Sequence, residues 1–229
     1  MKRYWEAFRR LLFPEICLAC QDALTDGERT ICTVCRYELP RTRSAETGDP
    51  LVAGKFEGRV RIGSAHAFLR FRKGGRVQRL LHQLKYNGRQ EVGEVLGRLF
   101  GAELRKAGFS EQIDLIIPVP LHESRLRQRG YNQSECIARG LAEVLQSPWS
   151  GEILRKEQAT DTQTHKSRME RFRNTGALFR VAQGEQIAGR RIALVDDVVT
   201  TGSTLEACAQ ALLDGGCREV HVWALATAM

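Results

Sequence analysis

Two adjacent aspartates, Asp196 and Asp197, close an apolar run and precede a glycine set among hydroxyls: residues 192–204 read IALVDDVVTTGST. Carboxylates at the end of a buried strand lose hydration, so two in a row work against stability and ask for a ligand. In an open parallel sheet, ligands bind beyond the carboxyl ends of the strands, the edge these acids occupy. Thr200, Thr201, Gly202, Ser203 and Thr204 then lead into a helix starting near Ser203 or Thr204. A helix N-terminus offers free N–H groups and a positive dipole end to a phosphate. Gly202 admits close approach of the backbone, and the hydroxyls add donors. Acceptors for sugar hydroxyls therefore stand beside donors for a phosphate, a combination that a ribose 5-phosphate satisfies at once. The plainer alternative, an aspartate capping a turn, accounts for one acid better than for two.

A second chemistry lies near the N-terminus. Cys17 and Cys20 (CLAC) and Cys32 and Cys35 (CTVC) have the spacing C-x2-C-x11-C-x2-C. Each pair can wrap two thiolates around one cation, and two such turns complete a tetrahedral tetrathiolate. Zinc is the first reading; an iron site of the same geometry and redox-active dithiols are the alternatives. A closed four-sulfur site leaves no open position for substrate, so its expected role is structural. Metal binding of this kind contributes roughly 10 kcal/mol or more to folding, ample for a lobe of about 40 residues with little core. Presentation of a nucleic-acid or protein contact surface is the second reading. Cys136, Cys208 and Cys217 are scattered, with Cys208 on the apolar side of a helix.

The elements that must position these groups follow from periodicity. A short helix is predicted over 3–13, with Trp5, Phe8, Leu11 and Leu12 on one side and a stop at Pro14. Residues 41–58 read as a polar linker. AHAFLRF alternates as a strand, Val77, Leu80, Leu81 and Leu84 recur at helical spacing, and Val92 to Leu104 mark a second helix. DLIIPVP is a short strand ended by prolines, Tyr131–Leu145 a helix, and ALFRV a short strand. RIALVDD is a buried strand, STLEACAQALLDGG a helix with a glycine stop, and EVHVWALA the final strand. Strands alternating with helices imply an α/β fold, a mostly parallel sheet with helices on both faces. The expected division is a four-cysteine lobe and linker over 1–58 and an α/β domain over 59–229.

IALVDDVVTTGST resembles the phosphoribosyl-pyrophosphate (PRPP) binding motif of type I phosphoribosyltransferases. IIPVPLHESRLRQRGYNQ (116–133), preceded by LKYNGR (84–89), resembles the ComF family of competence-associated phosphoribosyltransferase-like proteins. LRKEQATDTQTHKSRMERFRNTGALF (154–179) resembles the same family in the pattern Arg155, Thr160, Gln163, Arg171, Asn174, Phe179, and the four-cysteine lobe fits it. The resemblance spans nearly the whole chain; only residues 41–65 carry nothing diagnostic. It implies a type I phosphoribosyltransferase-like fold with a small N-terminal zinc lobe of double zinc-ribbon type. Asp196 and Asp197 would hold the ribose 2- and 3-hydroxyls, and Val198 and Thr200–Thr204 would line the 5-phosphate site. Val119, Pro120, Leu121 and His122 would offer backbone groups to the diphosphate, stiffened by flanking prolines. Lys85 and Arg171 are further implied PRPP contacts. Of Arg125, Arg127 and Arg129, whose forks suit phosphate oxygens, Arg129 is favoured because it lies nearest the GYNQ turn. Asp196, Asp197 and Arg129 are thus the candidate catalytic residues, with Mg2+ accompanying PRPP and Zn2+ on the cysteines. Some purine-salvage members carry an acid where this chain has Thr200, which argues against deprotonation of a purine base there.

Residues 156–174 are polar and aperiodic, the composition of a lid or of a surface loop. His122 reads first as a hydrogen-bonding structural residue, with general base or metal ligand as alternatives. The 229 residues carry 35 Lys and Arg against 27 Asp and Glu, net +8, and no acid interrupts the basic block of 61–90. Such a block suits a polyanion or is a solvated basic face. No signal-peptide architecture or membrane-spanning apolar run stands out, so a cytoplasmic location without membrane insertion is expected. Three functions compete: a phosphoribosyltransferase of unknown acceptor; a factor that handles single-stranded DNA with the uptake machinery, with Tyr86 and Phe71 available for stacking; and a PRPP sensor without turnover.

Overall fold

The computed structural model describes residues 14–48, 50–156 and 179–228. The expected helix over 3–13 and nearly all of the polar segment 156–174, including Thr160, Gln163, Arg171 and Asn174, lie outside them. In chain order the strands are β1 (Ser64–Phe71), β2 (Leu115–Pro118), β3 (Leu154–Lys156), β4 (Phe179–Val181), β5 (Arg191–Val199) and β6 (Glu219–Ala228). The helices are α1 (Thr33–Tyr37), α2 (Ser44–Thr47), α3 (Arg76–Tyr86), α4 (Gln90–Lys106), α5 (Glu123–Arg129), α6 (Gln133–Leu145) and α7 (Ser203–Asp214).

Four strands pair in parallel in the order β1-β6-β5-β2, and β3 and β4 form a separate antiparallel pair. Parallel strands covered on both faces need apolar residues of both parities. β5 supplies them: Ala193 and Val195 enter one buried cluster, Ile192 and Leu194 the other. The first cluster joins that face to Leu80 and Leu84 of α3, Leu96 and Phe100 of α4 and Ile137 and Leu141 of α6. The second joins the opposite face to Leu205, Cys208 and Leu212 of α7 and to Leu154 and Phe179. Cys208 is fully buried, as its place on the apolar side of a helix implies.

α4 and α6 meet along a seam of small residues. A Cβ on Gly97 would stand 2.5 Å from the Ile137 carbonyl oxygen, and one on Gly93 2.7 Å from Cys136 Cβ. Glycine is therefore what lets the two backbones approach. The seam matters for function because α6 carries Asn132 and Ser134 at its start.

The stretch 41–58 departs from the linker expectation. Thr42 N donates to Phe68 O (2.9 Å) and Arg70 N to Pro40 O (2.8 Å), so the chain runs alongside β1. The Ser44 hydroxyl, fully buried, bonds the Ala67 backbone. Val52 and Phe56 are buried in the second cluster. Two apolar side chains spaced by four residues were too few to stand out from a polar stretch. The cysteine-bearing segment packs on the sheet as well, since Cys17, Leu18, Cys35 and Leu39 share the first cluster with Phe68 and Leu69.

Candidate functional site

β5 sits between β6 and β2, and its carboxyl end lies beside the loop that leaves β2. Val119 N donates to Val195 O at 2.8 Å, which brings the 119–122 loop to the edge of Asp196 and Asp197. Asn132 caps α6, accepting from Ser134 N at 3.1 Å, while its amide donates to Val119 O at 3.0 Å. One side chain thus starts a helix and holds the β2 loop in place.

Asp196 Oδ1 accepts from Ser134 Oγ (3.1 Å) and from Asp197 N (2.8 Å). Burial first, and the adjacent Asp197 carboxylate second, push the Asp196 carboxyl up to about 7; these two hydrogen bonds and Lys85 pull the other way. Lys85 Nζ lies 2.9 Å from both oxygens of Asp197. Lys85 lies on the last turn of α3, which is tied down by Tyr131 donating its hydroxyl to the Leu84 carbonyl.

Around these groups opens a cavity of about 430 Å³. Asp196, Asp197, Thr204, Lys85, Val119, Pro120, Leu121, His122 and Arg129 all line it, together with Ser124, Arg125, Asn132, Gln133, Ser134 and Lys156. A smaller hollow of about 60 Å³ is formed by Asp196 and Val198–Leu205, so Val198, Thr200, Thr201, Gly202 and Ser203 stand on its wall. Gly202 has a φ of +82°, the left-handed region that favours glycine, and caps the N-terminus of α7. Of the expected contacts only Arg171 falls outside the described residues.

Some residues are placed differently from their expected weight. Arg125, Arg127 and Arg129 lie on α5, where positions four apart share a face. Arg125 and Arg129 therefore both reach the cavity, while Arg127 pairs outside with Glu123 at 3.0 Å. The Arg129 guanidinium lies over the Tyr86 ring, 5.3 Å from its centroid. His122 caps α5, its Nδ1 accepting from Ser124 N at 3.2 Å, the structural role read first for it. Asn132, Ser134 and Lys156 had no assigned role; the N-cap pattern before a helix was the available signal for Asn132. The basic block of 61–90 is divided: Lys85 pairs with Asp197, Arg76 with Glu38 (2.6 Å) and Arg89 with Glu91 (2.5 Å). Phe71, offered for stacking, is partly buried and packs against the core; Tyr86 is 63% exposed.

The sulfur atoms of Cys17, Cys20, Cys32 and Cys35 all lie within 4.8 Å of one another. A tetrahedral zinc with Zn–S bonds of about 2.3 Å requires sulfurs roughly 3.8 Å apart, and Cys20 Sγ and Cys32 Sγ stand at 3.9 Å. Ala19 N and Cys32 N point at Cys17 Sγ (3.4 and 3.3 Å) and Cys35 N at Cys32 Sγ (3.4 Å). Amides aimed at sulfur stabilise thiolate over thiol. The set fits a metal such as zinc. Among the described residues, no helix is long and apolar enough to cross a membrane.

Residues 132–229, from the Asn132 cap to β6, match the family model of the phosphoribosyl transferase domain. The DNA utilization protein YhgH of Escherichia coli is 34% identical over 94% of this chain and 98% of its own length. Competence protein F of Haemophilus influenzae is 36% identical over 65% of this chain and 67% of its own. Among solved structures, the glutamine PRPP amidotransferase of B. subtilis aligns at a TM-score of 0.43 and 19% identity, over 63% of this chain and 30% of that one. A type I phosphoribosyltransferase-like sheet with an N-terminal four-cysteine lobe, and a relative of this identity matched nearly end to end, place the chain in the ComF family.

Proposed function

We propose that this protein binds PRPP, with Mg2+, in the 430 Å³ cavity and transfers its phosphoribosyl group to an acceptor. One observation carries the reading. The paired acids, the β2 loop and Thr204 line one cavity with four cationic side chains, Lys85, Arg125, Arg129 and Lys156, and the rest of the hydroxyl loop lines a second hollow that shares Asp196 and Thr204 with it. Two acids and four cations at one sheet edge suit a ligand with a neutral polyol part and a highly anionic part.

Asp196 and Asp197 would accept the ribose hydroxyls, and being negative would favour the positive charge that grows on the ring as the C1–diphosphate bond breaks. Arg125 and Arg129, from one face of α5, would meet the departing diphosphate beside the Val119–Leu121 backbone. Thr200–Thr204 and the α7 N-terminus would hold the 5-phosphate. Hard carboxylate oxygens fit Mg2+, which when bound supplies charge neutralisation of the leaving group. Arg171 would add a contact from its own segment. The four-cysteine cluster would hold Zn2+ as a structural staple, within an N-terminal unit spanning 1–58 ahead of a phosphoribosyltransferase-like unit at 59–229.

The test is calorimetric titration of PRPP with magnesium into the wild type, Asp196→Asn and Asp197→Asn, followed by pyrophosphate release with a panel of bases. Binding lost in both variants supports the site; wild type that gives no heat rejects it. Binding without release to any acceptor would indicate a PRPP sensor. The relatives' printed names, DNA utilization protein and competence protein F, support a role in competence or DNA use; a cytoplasmic location and partner proteins of DNA uptake are part of the same proposal. Exposed Arg72 and Lys73 and, at the far end of α3, exposed Tyr86 favour a second reading, contact with single-stranded DNA. A salt slope of binding that flattens on Arg72→Ala would support it.

A further inference from the structure

Residues 53–59, ahead of the sheet, reach the hydroxyl loop. Arg59 Nη1 donates to Thr201 O (2.8 Å) and to Lys55 O (2.9 Å). Its Nη2 donates to Ser203 Oγ (3.3 Å) and pairs with Glu206 on the first turn of α7. Phe56, 1% exposed, completes the contact: a Cβ on Gly202 would meet its ring at 3.1 and 3.2 Å. The ring fills the space beside the one loop residue that has no side chain.

We propose that Arg59 is a positioning residue for the 200–204 loop, with Phe56 as its floor. The inference rests on the reading that this loop holds a phosphate. A guanidinium carries five N–H donors, and four of those on Arg59 are directed at Lys55, Thr201, Ser203 and Glu206. That leaves little to offer a ligand directly. What the arginine fixes is orientation. In a trans peptide the C=O and the following N–H point in opposite directions, so holding the Thr201 carbonyl on Arg59 turns the Gly202 N–H away from it. Ser203 Oγ, also 3.2 Å from Thr201 Oγ1, is held by the same fork. A loop whose donors are set before the ligand arrives loses less entropy on binding. This deepens the proposed site: the segment that follows the four-cysteine lobe is part of the phosphate-binding apparatus.

The experiment uses the full-length, metal-loaded protein as wild type, Arg59→Ala and Arg59→Lys. Ribose 5-phosphate and, separately, magnesium pyrophosphate are titrated into each, and backbone hydrogen exchange over 200–206 is followed without ligand. Losing two or three net hydrogen bonds predicts about 5- to 50-fold weaker ribose 5-phosphate binding in both variants, because a lysine ammonium cannot span the fork's partners. Pyrophosphate, which would bind on the other loop, should bind as in the wild type and reports that each variant is folded. Exchange over 200–206 should accelerate. Unchanged ribose 5-phosphate binding in Arg59→Ala, unchanged exchange, or full rescue by Arg59→Lys would overturn the proposal, the last by showing that charge alone suffices. Wild type that ignores ribose 5-phosphate while exchange still responds to Arg59→Ala would reject the phosphate site and leave the brace standing.

Discussion

Replacing Asp196 by Asn should stabilise the ligand-free protein while removing its ligand affinity. Asn keeps the shape, and its Oδ1 can still accept from Ser134 Oγ and Asp197 N, the two bonds Asp196 makes. What disappears is a charge held in the wrong surroundings. Burial and the Asp197 carboxylate raise Asp196 to about 7, against about 3.9 in an unfolded chain. Between those values the folded state binds one proton more than the unfolded state, so stability falls as pH rises through that window. Three units correspond to about 4 kcal/mol. Asp196 keeps part of its surface in solvent, and its field is shared with Asp197 and Lys85, so about 1–3 kcal/mol is the expected difference above pH 7. Urea denaturation of both proteins at pH 5.5, 6.5, 7.5 and 8.5 reads it directly. The advantage of Asp196→Asn should already stand at about half its plateau at pH 5.5, grow through pH 6.5 and level off above 7.5. Acid loss of metal from the cysteines affects both proteins alike and cancels in the comparison. With PRPP and magnesium added the order should reverse, since only the wild type gains binding energy. A pH-independent gap, or a wild type more stable at pH 8.5 without ligand, would refute the reasoning.

Other consequences are separable from that site. Gly97→Ala drives a methyl group against the Ile137 carbonyl and should destabilise by about 1–3 kcal/mol, read as a lower urea midpoint with an unchanged slope. Stripping the metal with a chelator should release one zinc per chain, counted by a colorimetric indicator, and lower the melting temperature; Cys32→Ser should fail to retain zinc at all. Tyr86→Leu removes the ring under Arg129 and should weaken PRPP binding about 2- to 5-fold while sparing ribose 5-phosphate, with Tyr86→Phe restoring it.

Local patterns in the chain were readable, and contacts between distant segments were not. β5, the hydroxyl loop and α7 follow one another in sequence, so an apolar run, two acids and a glycine before a helical period disclosed the core of the candidate site. The cysteine spacing was legible for the same reason, since two close pairs need only one loop to meet. Arg59 could not be read, because its partners on the hydroxyl loop and α7 lie 142 to 147 residues away and its neighbours look like linker. The glycine seam of α4 stayed hidden because Gly93 and Gly97 gain meaning only once α6 lies against them. Arg125 is marked out only by the helix: the two-residue spacing treats the three arginines alike, whereas on α5 residues four apart share a face.

Lys85 explains how the paired acids are held together. Two carboxylates at one strand end repel each other, and the structure answers differently for each. Asp197 receives a lysine at 2.9 Å; Asp196 receives a hydroxyl and an amide and is raised towards neutral pH. At physiological pH the pair therefore carries less than two negative charges, offset by one cation. Sugar hydroxyls approaching the pair would replace the lysine as donors. Lys85 would then turn to the anionic end of the same ligand, where Arg125, Arg129 and Lys156 already line the cavity. The residue that pairs with Asp197 would thus become a contact of the bound ligand. That exchange requires Lys85 to lie on the last turn of a helix tied to the Tyr131 hydroxyl, close enough to serve both ends.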